Sequence, residues 1–116
     1  MTALLAVSVL LVCCVVPGAA QRSGARSDKP VVHTVTIDAT SFRPAALTLR
    51  PGDTVEWVNR DLIPHTATTP PKAKLAFDSG VIAPGKSWRH TFKAAGEISY
   101  VCTFHPTMKG TLDVKR

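Results

Sequence analysis

Three side chains with metal chemistry stand at even spacing near the C-terminus. In "YVCTFHPTMKG", residues 100–110, Cys102, His105 and Met108 follow one another at intervals of three. They offer a soft anionic sulfur, a borderline imidazole nitrogen and a weak thioether. An alternating run, "ISYVC", ends at the cysteine, and another, "GTLDV", begins after the methionine. The tight loop between them holds the three donors near one point. A second imidazole is needed from elsewhere to complete a plane of strong ligands. The best candidate is His65 in "NRDLIPHTAT", again at a strand edge after a loop. Two histidines and a cysteine in a trigonal plane, with a long axial methionine, form the donor set of a copper site that passes single electrons.

Other chemistries fit these residues less well. A cysteine and a histidine can act as nucleophile and base, but no third orienting group or oxyanion-binding motif accompanies Cys102 and His105, and Met108 would have no role. Structural zinc sites are usually closed by cysteine and histidine, and a methionine ligand does not suit them. The plain alternative for Cys102 is a buried structural thiol, for His65 a surface-loop histidine, and for Met108 a core filler. His33 and His90 lie on alternating runs with apolar neighbours, which predicts partly buried structural histidines with no metal role.

The opening "MTALLAVSVLLVCCVVPGAAQ" is apolar from Ala3 to Val16, then breaks at Pro17-Gly18. It reads as a secretory signal peptide, residues 1–20, cut after Ala20, although no Lys or Arg stands near Met1. An uncleaved anchor is the lesser reading, because the run is shorter than the roughly 20 residues a spanning helix needs. Lipid attachment at Cys13 or Cys14 is disfavoured by Val12, where a small residue belongs. An exported chain keeping only Cys102 has no internal disulfide to make, which leaves a free thiol, an intermolecular bridge or a metal ligand. Coordination protects a thiolate from oxidising surroundings.

All charged side chains follow Ala20, and the net charge is +6. This balance suits an acidic partner or an anionic surface. No basic run exceeds two residues, and an exported chain seldom meets nucleic acid, so none is expected as a partner. Lys72 and Lys74 are either docking charges or part of a solvated loop.

The elements that must position these residues are strands. Residues 21–29 are Ser, Gly and charge, a flexible tether. From residue 30 to 116 the runs "VVHTVTID", "ALTL", "DTVEWVN", "KSWRHTF", "GEISYVC" and "GTLDVK" alternate at period two between Pro- and Gly-marked turns. Helical apolar spacing is absent after the leader. The expectation is one all-β domain, an antiparallel sandwich of short strands. Trp57, Trp88, Phe42, Phe77, Phe92 and Tyr100 are the large candidates for its core.

The segments "SFRPAALTLRPGDTVEWVNRDLIPHT", "APGKSWRHTFKAAGEISYVC" and "CTFHPTMKG" resemble the cupredoxins, the small blue copper proteins, most of all their amicyanin–plastocyanin branch. The resemblance runs from about Val31 to Lys115, and the short gap before Met108 is the amicyanin-like form. It implies an eight-stranded Greek-key β-sandwich with one copper at one end, bound by His65, Cys102, His105 and axial Met108. Together with the leader it implies a one-electron carrier rather than an enzyme, periplasmic or otherwise exported, acting as a monomer. A protein that stores or delivers copper is the alternative. A redox partner would dock on an apolar patch of Pro64, Phe104 and Pro106 around His105.

The sequence departs from its relatives in two places. Thr66 stands where many carry an Asn that ties the ligand loops together, which predicts looser coupling, with the Thr66 N–H still aimed at the Cys102 sulfur. Phe104 stands where close relatives often carry Pro, and its N–H is expected as a second donor to that sulfur.

Overall fold

The computed structural model describes Gly18 and residues 27–116, so the proposed leader and most of the tether lie outside the described residues. Seven strands form: β1 (Val32–Asp38), β2 (Ser41–Arg43), β3 (Ala46–Leu49), β4 (Thr54–Asn59), β5 (Ser87–Thr91), β6 (Gly96–Cys102) and β7 (His105–Val114). One sheet has the order β2-β1-β4-β5 and the other β3-β7-β6. Among the described residues there is no helix, and none long and apolar enough to cross a membrane.

The all-β sandwich is as expected, but the pairing is mixed rather than antiparallel. β1 runs parallel to β4, and β3 parallel to β7. The cause is the connectivity. The chain leaves the first sheet after β2, lays β3 into the second sheet, then returns to place β4 beside β1. Strands that become neighbours through such a crossing are free to run the same way, whereas tight hairpins force antiparallel pairs. The eighth strand implied by the resemblance is replaced by isolated bridges, His65 with Ile82 and Thr68 with both Asp78 and Val101. Pro70 and Pro71 sit within this stretch and have no N–H to give a ladder. β2, a three-residue strand, escaped the sequence reading because it is too short for alternation to register.

Period-two patterning puts one face of each strand into the core. On β4 the buried set is Val55, Trp57 and Asn59, and on β6 it is Ile98, Tyr100 and Cys102. Trp57 and Tyr100 meet edge to face at 5.5 Å, and Phe42 packs on Tyr100 at 4.7 Å. Such pairs add about 0.5–1.5 kcal/mol each beyond the burial of their area. Phe77 and Phe92 join this cluster, whereas Trp88 is only partly buried at its edge. Trp88 lies on edge strand β5, where it stacks against His90 at 5.5 Å and packs against Trp57 at 5.5 Å. Partial burial lowers the pKa of His90. At Gly110, opposite Tyr100 in the β6–β7 pair, an added Cβ would come within 2.2 Å of the tyrosine Cζ. Only glycine lets that ring lie on the strand.

His33 is structural, as expected. Its Nε2 lies 2.9 Å from Asp53 Oδ2, and Asp53 also accepts the N–H groups of Val31 and Arg50 at 2.9 and 3.0 Å. Burial alone would raise the Asp53 pKa, but the bonds from His33, Arg50 and Val31 prevail and hold it at about 2. This knot closes the end of the sandwich where β1 and β4 begin. The site lies at the other end, where β1, β4 and β6 finish.

Candidate metal centre

Three elements bring the donors together. β6 delivers Cys102 as its last residue, and a two-residue turn, Thr103 and Phe104, returns the chain so that His105 opens β7 and pairs with Cys102. The ligand loop is thus shorter than the spacing predicts: His105 and Met108 already belong to β7. Met108 is 3% exposed on the inward face of that strand. His65 arrives from the long β4–β5 connection and is fixed by paired backbone bonds with Ile82, at 3.2 and 2.8 Å.

The ligating atoms of His65, Cys102 and His105 all lie within 4.8 Å of one another. Cys102 Sγ is 3.7 Å from His65 Nδ1 and 3.9 Å from His105 Nδ1, so both rings turn the same nitrogen toward the sulfur. Cys102 and His65 are fully buried, and His105 is partly exposed. Soft sulfur and two imidazole nitrogens around one point form the donor set that a copper ion prefers. His33 and His90 are not part of the cluster.

The surrounding contacts fix these side chains. The Thr66 N–H donates to Cys102 Sγ at 3.4 Å, as expected from the sequence. Phe104 makes no such bond, and Thr66 is the one backbone donor to that sulfur among the described residues. The looser coupling expected from Thr66 is also corrected. Its Oγ1 accepts the Thr103 N–H at 2.9 Å and lies 3.1 Å from the Thr103 hydroxyl. The Thr68 hydroxyl donates to the same oxygen at 3.0 Å and lies 3.1 Å from Asp78 Oδ1. Hydroxyls from 66, 68 and 103 thereby clasp the two ligand segments.

Asn59 and Asp61 organise the loop before His65. The Asn59 side-chain amide donates to Ile63 and Ile82 carbonyls, each at 2.9 Å, while its oxygen accepts the Asp61 N–H. Asp61 Oδ2 lies 2.9 Å from His65 Nε2. The Thr40 amide, then His65 and the Leu62 amide, hold the Asp61 carboxyl below the usual carboxylate range. Sequence reading missed Thr103, Asn59 and Asp61. Asn59 alone left a trace, a polar residue ending the inward series of β4.

Pro64, Phe104 and Pro106 are exposed beside the partly exposed His105, with Phe104 51% exposed. Leu62 and Ile63, at 91% and 40% exposed, add to this apolar surface.

Residues 30–115 match the copper-binding proteins of the plastocyanin/azurin family. The chain is 29% identical to an amicyanin of Paracoccus versutus over 99 residues, covering 77% of this chain and 75% of the relative. It is 34% identical to a plastocyanin of Scenedesmus fuscus over 96 residues, covering 71% of this chain and 98% of that one. Among solved structures, a methionine-to-alanine amicyanin mutant in the Cu(I) form matches with a TM-score of 0.67 at 28% identity, over 72% of this chain and 82% of its own. A copper-containing nitrite reductase from Thermus scotoductus matches with a TM-score of 0.70 at 32% identity, over 80% of this chain but only 24% of the reductase. With the soft, convergent donor set at the end of its sandwich, the chain belongs to the plastocyanin/azurin family of copper-binding proteins, as a cupredoxin of the amicyanin and plastocyanin kind with a type 1 copper cofactor.

Proposed function

We propose that this cupredoxin is an exported one-electron carrier and not itself an enzyme, whose copper would be held by His65, Cys102, His105 and Met108. The observation that carries the reading is the convergence of His65 Nδ1, Cys102 Sγ and His105 Nδ1 within 4.8 Å. When bound there, copper supplies the Cu(II)/Cu(I) couple, one electron per turn. The protein's part is to hold the ligands still. His65 is fixed through its backbone bonds to Ile82, Cys102 through the Thr66 N–H, and the two segments through the hydroxyl clasp. A site that barely rearranges between the two oxidation states loses little energy to reorganisation. The amicyanin and plastocyanin relatives support the carrier role.

Electrons leave and enter at His105, the more exposed histidine, through the apolar surface of Pro64, Phe104 and Pro106, to which Leu62 and Ile63 also contribute. A redox partner seats there, and exposed Lys72 and Lys74 favour an acidic one. The working form is a monomer. Export to the periplasm, with residues 1–20 as the cleaved leader and 21–29 as a tether to the domain of 30–116, completes the reading.

Copper storage or delivery would use the same ligands, so metal exchange separates the two. The loaded protein is cycled repeatedly with a reductant and an oxidant in the presence of a Cu(I) chelator. A carrier keeps its copper through the cycles, whereas a delivery protein surrenders it to the chelator.

A further inference from the structure

Asp61 joins His65 to a part of the fold remote from it in sequence. Its Oδ2 accepts the Thr40 N–H at 2.9 Å and lies 2.9 Å from His65 Nε2, while Oδ1 accepts the Leu62 N–H at 2.9 Å. Ala39 and Thr40, in the β1–β2 turn, both have positive φ, 46° and 55°. Non-glycine residues rarely hold that conformation, and here it carries the Thr40 N–H onto the carboxylate. The Asp61 side chain is only 16% exposed and that of His65 is fully buried, so water screens their contact weakly.

We propose that Asp61 is a positioning residue that aims His65 Nδ1 at the metal and lowers the reduction potential of the site. The geometry supplies both effects. A carboxylate has no proton to give, so His65 Nε2 carries the hydrogen and Nδ1 keeps its lone pair, directed toward Cys102 Sγ at 3.7 Å. A carboxylate behind a ligating imidazole makes it a stronger donor. Its negative charge, one ring away from the ion, favours Cu(II) over Cu(I), because the oxidised ion carries one more positive charge. Among the described residues His105 makes no corresponding bond, so the two imidazoles are unequal donors. The inference rests on the copper reading above and names the residue that tunes it.

The test is voltammetry of the copper-loaded protein and of Asp61→Asn and Asp61→Glu. Outer partners of metal ligands typically count for about 10–100-fold. Taking the lower figure, because Asn keeps an acceptor at the same place, Asp61→Asn should shift the Cu(II)/Cu(I) balance about tenfold toward Cu(I), which is 59 mV upward for one electron. The visible spectrum should persist, and Asp61→Glu, which keeps the charge, should lie nearer the parent. An unchanged potential in the Asn variant overturns the proposal, as does an equal displacement in both variants, which would mark lost packing rather than charge. A second readout needs no variant: nitrogen-15 NMR of the Cu(I)-loaded parent should show a slowly exchanging proton on His65 Nε2. A rapidly exchanging one, or a proton on Nδ1, overturns the proposal equally. A parent that binds no copper removes the copper reading and the inference with it, and is told apart from failure of the inference alone, where the parent is blue and the Asn variant keeps its potential.

Discussion

Replacing Thr66 by Val keeps the shape of the side chain and removes the one oxygen on which the two ligand segments meet. Thr66 is 4% exposed, and its Oγ1 takes the Thr103 N–H at 2.9 Å and contacts the Thr103 and Thr68 hydroxyls at 3.1 and 3.0 Å. An intramolecular hydrogen bond contributes about 0.5–1.5 kcal/mol net. The loss is smaller than three full bonds, because Thr103 is exposed and water replaces part of what it loses, and the single Thr68 hydroxyl proton, released from Thr66, turns to Asp78 Oδ1 at 3.1 Å. Counting about two effective bonds gives roughly 1–3 kcal/mol. For a domain of this size each kcal/mol moves the melting temperature by about 4–8 °C, so the variant should melt roughly 5–20 °C below the parent. Calorimetry of the metal-free forms measures this without a contribution from bound copper. The colour of the loaded form should survive, because the backbone Thr66 N–H to the sulfur is untouched. In a double-mutant cycle, Thr103→Ala should cost less in the Val background than in the parent, though only through its hydroxyl share of the clasp. A melting temperature within about 2 °C of the parent would refute the clasp, since that is less than the effect of half a kcal/mol.

Gly110→Ala places a methyl group 2.2 Å from Tyr100 Cζ, against a ring enclosed by Phe42, Trp57 and Phe77. Overpacking of this kind costs about 1–3 kcal/mol or more, to be read as a lower urea midpoint. Asp53, with its folded pKa held at about 2 against an ordinary 3.8, contributes stability that is complete above pH 4 and lost as pH falls toward 2; acid titration of unfolding should therefore show a shallower decline in this window for Asp53→Asn. Pro106→Glu introduces a charge into the apolar surface proposed for docking and should slow electron transfer to a protein partner with the spectrum nearly unchanged. Glu97→Lys, at the distant β6–β7 end near Val114, should leave the rate much closer to that of the parent.

What the sequence discloses follows from what repeats along it. Alternation at period two located six of the seven strands, since each buries one face. The spacing of Cys102, His105 and Met108 pointed to one metal wrapped by one short segment, because three such donors in a row have few other uses, and the family resemblance put that metal at one end of a sandwich. Pairing direction was not legible: whether β1 meets β4 in parallel depends on the crossing of the chain between sheets, which no local pattern records. The partners of the ligands were hidden for a similar reason. Thr103 reads as an ordinary turn residue, and Asp61 as a loop acid, until Thr66 and His65 are folded onto them. The weaker coupling expected from Thr66 came from comparing side-chain lengths, and failed because the Thr103 N–H and the Thr103 and Thr68 hydroxyls all reach the Thr66 oxygen. The Phe104 N–H expectation failed because the turn after Cys102 is tighter than supposed, with His105 already paired in β7.

The visible absorption spectrum of the protein titrated with Cu(II), beside that of Cys102→Ser, tests the central claim most directly. A copper–thiolate bond absorbs intensely by charge transfer from sulfur to Cu(II). The parent should turn blue and saturate at one copper per chain, and the serine variant, which has no thiolate, should stay colourless at the same copper concentration. A parent that remains colourless, or a serine variant that turns equally blue, would contradict the assignment of Cys102 and its neighbours as a type 1 copper site.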